Sequence, residues 1–297
     1  MAFKWWRQRT VGEERVIFLH GFSHIDPLRH MVLEDLIGGG NLVEKGSGEV
    51  TEDDKRGYRE LLDEVLDGEA DTLTVYRGNV QWLAGFFSER GGSVSNIGVE
   101  KCGDTVKSQL ESSRGFTQLL GTFLERVGVS EPGQTAEDAL LLSMGPTVHA
   151  YCNGLLPQGV QMIGLDDARL NEKSVEHYAR SWLLNGQLKE LCIQRGLQQV
   201  YEDWNDFLDG IKINQIPTRR EIREATSPLN DRELEALAKK STNHWVNVIK
   251  MSQRRDKLMA RKITGETGSM LVEVGLNHIP GLSDNLGGRE NLTVEVL

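Results

Sequence analysis

The sequence predicts an α/β protein with a mixed, mostly parallel central sheet flanked by helices. Short runs of contiguous large apolar residues, such as residues 16–19 (VIFL), are typical of strands that are buried on both faces of a sheet. Longer segments between these runs carry apolar residues every three or four positions, which indicates amphipathic helices. The apolar share of 38% is ordinary for a globular protein, and there is no solenoid-length repeat and no Pro- or Ser-rich linker. We therefore expect a single domain over residues 1–297.

The first half of the chain divides at its glycines. Contiguous β-branched and aromatic residues indicate strands, whereas apolar residues at helical spacing that end at glycine indicate helices. Three consecutive glycines at 38–40 are expected to stop the first helix, and Gly68 the second. Trp82, Phe86 and Phe87 lie at helical spacing, which favours a core stripe over a ligand platform. The predicted elements are strands over 15–20, 71–78 and 94–100 and helices over 27–37 and 58–68.

The second half of the chain is mainly helical in pattern, and we expect residues 172–250 to form a helical insertion or subdomain. An uncharged run over 139–165 is long enough to span a bilayer, but glycine and proline break it, which favours a helix end, a loop and a strand. A long helix is expected from the cap-like pair at 230–231 to about Ile263, with Arg255 as an unusual charge on its apolar stripe. The other predicted elements are helices over 104–128 and 135–145 and strands over 159–167, 269–278 and 291–297.

Charge and cysteine content argue against several classes of protein. A net charge of -10 argues against a nucleic-acid or anionic-membrane surface, because phosphate binding needs a concentrated basic face. Cys102, Cys152 and Cys192 are too widely spaced for a disulfide framework or a CxxC metal knuckle, which fits a reducing compartment. Residues 1–16 are basic but lack the apolar stretch of a signal peptide, so we expect a cytoplasmic protein without a membrane span. The sequence contains no Walker loop, no Gly-x-Ser-x-Gly elbow and no His-Glu-x-x-His helix.

Two Gly-x-x-His motifs lie near opposite ends of the chain, each directly after a predicted buried strand. The motif GFSH places His24 after the first strand, and GLNH places His278 after a later one. A residue without a Cβ lets the chain turn tightly and lets a metal or substrate approach the backbone, which predicts a binding role for Gly21 and Gly275. About one such motif is expected by chance in a chain of this composition. The alternative is therefore that both histidines only cap loops through local hydrogen bonds.

Carboxylates follow two other predicted strands. Glu100 ends the strand NIGVE, and Asp166 follows the strand MIGL. Because the carboxyl ends of parallel strands meet at one edge of a sheet, we expect these side chains to lie near His24 and His278. Two imidazoles with one or two carboxylates are a typical ligand set for a divalent Mn, Co or Zn ion. Arg255 on a buried helix face needs an anionic partner, and either carboxylate would serve.

These motifs resemble a known family. GFSH and GLNH resemble the paired Gly-x-x-His motifs of the Tiki/TraB family, whose superfamily also contains the erythromycin-esterase-like and ChaN-like proteins. The order of the motifs along the chain matches as well. Three further segments resemble a strand ending in Glu, a later strand ending in Asp, and an Arg-Asp/Asn-x-x-Met-Ala helix: NIGVEKCGDTVKSQL, LLPQGVQMIGLDDARL and SQRRDKLMARKI.

The resemblance implies one Tiki/TraB-like domain in which two related halves place the two histidine loops side by side. In the Tiki branch it also implies metal-dependent hydrolysis of a peptide bond. His24, Glu100 and His278 would then hold the metal ion, which polarises the scissile carbonyl. Glu100 would ligate the ion or accept the proton of its bound water, and Arg255 would steady the developing oxyanion.

Two further carboxylates, Asp26 and Asp166, are candidates to orient the site from outside the metal ligands. Tiki proteins are membrane-tethered, so their substrates are not transferred to this chain. We expect the substrate to be a peptide or another small molecule that is cleaved at a peptide or ester bond. The ChaN-like branch favours haem binding instead. The alternative function is therefore a non-catalytic protein that binds a peptide or haem in the same cleft, and a homodimer is an allowed assembly.

Overall fold

The computed structural model describes residues 15–45, 51–90, 93–211, 216–289 and 291–297, without the side chains of 38–45, 111–116 and 119. Five strands form one parallel sheet, in the spatial order β3-β2-β4-β1-β5. This confirms the predicted α/β class, and the described strands pair in parallel throughout. The strands are β1 (Arg15–Phe22), β2 (Asn96–Val99), β3 (Gln161–Gly164), β4 (Met270–Gly275) and β5 (Leu292–Val296).

Helices fill the connections between the strands, as parallel pairing requires. A single 3₁₀ turn, Leu276–His278, follows β4, and another lies at Ser227–Leu229. The helices are α1 (Pro27–Lys45), α2 (Glu52–Gly68), α3 (Ala70–Arg90), α4 (Gly103–Arg126), α5 (Pro132–Met144), α6 (Pro146–Cys152), α7 (Ala168–Gln194), α8 (Gln198–Asp209), α9 (Arg219–Thr226), α10 (Arg232–Gly265) and α11 (Ile279–Leu286).

Different helices pack on the two faces of the sheet. Alternate residues of β1 point to opposite faces, so Phe18 and Phe22 join the cluster that contains α1 to α6, whereas Ile17 and Leu19 join α10 and α11. All six residues of β4 are buried, because this strand lies in the middle of the sheet and is covered on both faces.

A third apolar cluster lies among α7, α8 and α10, around the fully buried Trp204 and Leu188. The same α10 helix continues past this cluster onto the sheet, where Met259 and Ile263 are buried. The predicted division of residues 172–250 into an insertion or subdomain stays a prediction. Within the described ranges, no helix combines the length and the apolar composition needed to cross a membrane.

The register of the sheet brings the two ends of the chain together. Gly21 of β1 pairs with Val274 of β4, and Phe22 pairs with Gly275. On the other side of β4, Val99 of β2 pairs with Glu273. The segments that follow β1, β2 and β4 therefore begin next to one another at the carboxyl edge of the sheet.

The strand predicted over 71–78 is wrong, because this segment belongs to α3. Leu73 and Tyr76 are buried while Val75 is 40% exposed, which is helical spacing and not strand alternation. The β propensity of Thr, Val and Tyr in this segment is overridden by packing, as is common for short apolar runs.

Other predicted helix bounds also differ; for example, the helix predicted over 58–68 begins at Glu52. Three glycines at 38–40 were expected to end the first helix, but α1 continues through them to Lys45. Glycine weakens a helix by about 1 kcal/mol relative to alanine, yet it keeps its N–H group and does not block the helix as proline does. The loop expected within 139–165 contains the short helix α6, which starts at Pro146, a residue suited to the first turn.

Candidate functional site

At the carboxyl edge of the sheet, two histidine side chains contact one carboxylate, that of Glu100. Glu100 follows β2 directly, His24 lies two residues after β1, and His278 ends the 3₁₀ turn after β4. His24 Nε2 is 2.9 Å from Glu100 Oε2, and His278 Nε2 is 3.1 Å from Glu100 Oε1. The two Gly-x-x-His motifs therefore place their imidazoles on the two oxygens of the same carboxylate.

The two motif glycines allow this close packing for different reasons. Gly275 N–H donates to Glu100 Oε2 at 2.8 Å, and a Cβ on Gly275 would overlap the His24 ring. A Cβ on Gly21 would lie 2.8 Å from the Ile279 side chain, so this glycine lets β1 pack against the start of α11. Both glycines are in contact with protein groups, and their predicted role in approaching a bound group stays a prediction.

Arg255 is a charged residue on the apolar stripe of α10, and its side chain is only 10% exposed. It donates from Nε to Asp166 Oδ1 at 2.9 Å and from Nη2 to Asp166 Oδ2 at 2.7 Å. The same Nη2 lies 2.5 Å from Glu100 Oε1. Burial by itself would lower the pKa of Arg255, but the two carboxylates outweigh it and raise that pKa. The structure thus joins Arg255 to both carboxylates that the sequence suggested as partners.

Asp256 was missed by the sequence reasoning, although it stands next to Arg255. It is 1% exposed, and its Oδ1 is hydrogen bonded to His278 Nδ1. Gly281 packs against its other oxygen so closely that a Cβ there would overlap it. The sequence signal that could have revealed Asp256 is a second charged residue on the buried face of α10, directly after Arg255.

The contacts set the charges of the central groups. Burial alone would raise the pKa of Glu100, but His24, His278 and Arg255 outweigh it and hold that pKa well below its usual range. Burial alone would lower the pKa of His278, but Glu100 and the hydrogen bond to Asp256 raise it to about 9. At neutral pH the site therefore contains an ionised Glu100 beside a protonated His278.

Asp26 does not take the position expected of it. Its Oδ1 accepts from the backbone N–H groups of Leu28 and Arg29 at 2.9 and 3.2 Å, which caps the start of α1. Its Oδ2 accepts from the Tyr178 hydroxyl at 2.8 Å. Asp26 therefore links α1 to α7 two residues from His24, and its described bonds do not include that ring.

Two basic side chains close to Glu100 in the sequence or on α1, Lys101 and His30, contact the same backbone oxygen. Lys101 Nζ donates to the backbone oxygen of Ser143 at 2.9 Å, and His30 Nε2 lies 3.3 Å from the same oxygen. Burial lowers the pKa of Lys101, although nearby carboxylates including Glu34 oppose it. This part of the edge carries more polar groups than the sequence motifs indicated.

His20 is a separate case, since the sequence favoured a packed core histidine at this position. Its ring stacks on Trp82 with centroids 3.9 Å apart, and its Nδ1 lies 2.8 Å from Glu273 Oε1. Glu273 is 1% exposed and also accepts from the Thr147 hydroxyl. These partners satisfy His20 within the fold, so we assign it no role in the site.

The residue types at Glu100 fit a divalent ion, but their arrangement as described does not. Two imidazoles and a carboxylate are a suitable ligand set. However, His278 is protonated and both of its ring nitrogens are bonded, to Glu100 and to Asp256, so this ring has no lone pair for an ion. The parts of the chain that the structure covers also contain no group of three or more His, Cys, Asp or Glu placed to hold a metal. The metal ion stays a prediction, and no chemical step below depends on it.

Comparison with known proteins does not assign the chain to a family. Neither a scan against models of protein families, nor a search of curated proteins, nor a search of solved structures finds a match. The resemblance to the Tiki/TraB family therefore rests on the motifs quoted above and stays a prediction.

Proposed function

We propose that the protein hydrolyses an ester or peptide bond at this edge of the sheet, with His24 as general base and Glu100 as the group that orients it. The contact that carries the proposal is the one between His24 Nε2 and Glu100 Oε2 at 2.9 Å. The His24 side chain is 40% exposed, whereas that of Glu100 is 9% exposed. A buried carboxylate behind an exposed imidazole fixes the tautomer of the ring and stabilises the imidazolium that forms during proton transfer.

The charge of Glu100 decides which group moves the proton. Because the pKa of Glu100 is well below its usual range, the carboxylate is ionised and can only accept hydrogen bonds. The proton in the contact is therefore on His24 Nε2. In the form of the ring that acts as a base, this leaves the Nδ1 lone pair to accept a proton from water. We assign proton transfer to His24 and not to Glu100, which the sequence alone had suggested as a candidate base.

The remaining groups support Glu100 and do not face the substrate in this proposal. Arg255 Nη2, His278 Nε2 and Gly275 N all point at its oxygens, at 2.5, 3.1 and 2.8 Å. Arg255 therefore acts through Glu100, as a positioning residue, and the expected direct contact with an oxyanion is not part of the proposal. This arrangement keeps the carboxylate rigid and ionised, as a preorganised site requires.

A broad hydrolysis assay tests the proposal. The purified protein is incubated with p-nitrophenyl esters and with a peptide mixture read by mass spectrometry, with and without Mn²⁺, Co²⁺ or Zn²⁺. We expect turnover that falls about 10²–10⁴-fold in His24→Ala, because general-base catalysis contributes that much. His149→Gln is the matched control, since Asn153 is the only hydrogen-bond partner described for the side chain of this buried histidine of α6.

The outcomes separate the alternatives. Turnover that His24→Ala leaves intact, with the circular dichroism of the variant unchanged, removes His24 from the mechanism. A requirement for an added ion supports the metal prediction. Saturable binding of haem or a peptide without turnover under any condition supports the non-catalytic alternative and overturns the hydrolase proposal.

A further inference from the structure

Helices α7 and α10 bring two histidines into direct contact outside the candidate site. His177 Nδ1 lies 2.9 Å from His244 Nδ1. We propose that this pair is a second metal site, which takes a borderline divalent ion such as Cu²⁺ or Ni²⁺. The proposal is independent of the hydrolase proposal, because it uses none of the residues around Glu100.

The distance between the two nitrogens fits a particular geometry. With metal–nitrogen bonds of about 2.05 Å, two nitrogens 2.9 Å apart subtend an angle of about 90° at the ion. That angle joins neighbouring positions of a square-planar or octahedral ion, whereas a tetrahedral ion needs the nitrogens about 3.3 Å apart. Square-planar and tetragonal geometry with nitrogen ligands is typical of Cu²⁺ and Ni²⁺.

The helices hold the two rings in place through a neighbouring contact. Ser181 and Ser241 lie one turn from His177 and His244, and each hydroxyl donates to the backbone oxygen of the other serine, at 3.1 and 3.0 Å. Both serines are buried, at 4% and 0% exposure. Because these bonds fix how closely α7 and α10 approach, the imidazoles are brought together before any ion binds, as a preorganised site requires.

The surroundings leave the pair able to bind. When each neutral ring carries its proton on Nε2, both Nδ1 lone pairs are available to one ion. Glu176, paired with Arg180 at 2.5 Å, is a candidate for a third ligand. No third ligand is in place among the described residues. Water would complete the coordination, so the site would keep open positions.

Copper titration tests the proposal. The background is His24→Ala, which removes the exposed imidazole of the candidate site, and Cu²⁺ binding is followed by calorimetry and by electron paramagnetic resonance. We expect one Cu²⁺ with two equatorial imidazole nitrogens, bound about tenfold or more weakly in His177→Gln and in His244→Gln. His149→Gln should bind as the background does. Ni²⁺ should raise the thermal midpoint of the background and leave that of both variants unchanged.

Two results would overturn the proposal. One is an affinity for Cu²⁺ that neither variant changes, which leaves the contact as a hydrogen bond between rings. The other is a spectrum of the unsubstituted pair with a single imidazole nitrogen. The second readout does not require either variant to fold, and neither readout measures hydrolysis.

Discussion

The buried imidazole of His278 predicts a loss of stability at alkaline pH. The folded protein raises the pKa of His278 from an ordinary 6.5 to about 9, through Glu100 and Asp256 acting against burial. A group whose pKa is raised on folding stabilises the protein fully below its unfolded pKa, and this contribution is lost as the pH rises through the folded pKa. The difference of 9 minus 6.5, at about 1.4 kcal/mol per pH unit, gives a loss of about 3 kcal/mol between these two values.

The measurement is urea unfolding of the wild-type protein and His278→Gln at about pH 6 and at about pH 9.5. Other groups titrate in this range, but they do so in both proteins and cancel in the difference. We expect the wild-type protein to lose about 3 kcal/mol more than the variant. His244→Gln is the control, because burial lowers the pKa of His244, so this residue has no raised pKa whose stabilising effect would be lost at alkaline pH. Equal losses in the wild-type protein and His278→Gln would refute the assigned charge of His278.

Two other predictions concern Asp166, compared with its neighbour Asp167, and Gly275. Asp166→Ala should destabilise the fold by about 3 kcal/mol in urea unfolding, because it leaves the buried Arg255 with one of its two carboxylates. Asp167→Ala should destabilise it by about 1 kcal/mol, since it removes only the cap of α7. Equal effects of the two changes would contradict the assigned pairing. Gly275→Ala should displace the exposed His24 ring, lowering turnover while changing stability by less than about 1 kcal/mol, as measured by ester hydrolysis and thermal unfolding. Full activity in this variant would mean that the His24 contact with Glu100 is dispensable.

Local pattern predicted most of the elements, and the errors have physical causes. The runs that became β1, β2 and β4 were recognisable because strands covered by helices on both faces of a parallel sheet carry nearly continuous apolar residues. The cap at 230–231 located the start of α10 to within one or two residues. Residues 71–78 were misassigned because a short run of Thr, Val and Tyr suits either state, and only its packing partners decide between them.

The sequence by itself determined which chemical groups stand at the ends of the strands: two histidines, each three residues after a glycine, and two acids after short apolar runs. It also identified an arginine on a buried helix face. Tertiary structure alone decided that β1 pairs with β4, that both imidazoles contact Glu100, and that Asp256 lies behind His278. The physical reason is range. Periodicity and turn chemistry act over a few residues, whereas the order of strands and the orientation of side chains between them depend on contacts more than 250 residues apart, such as Leu19 with Val272.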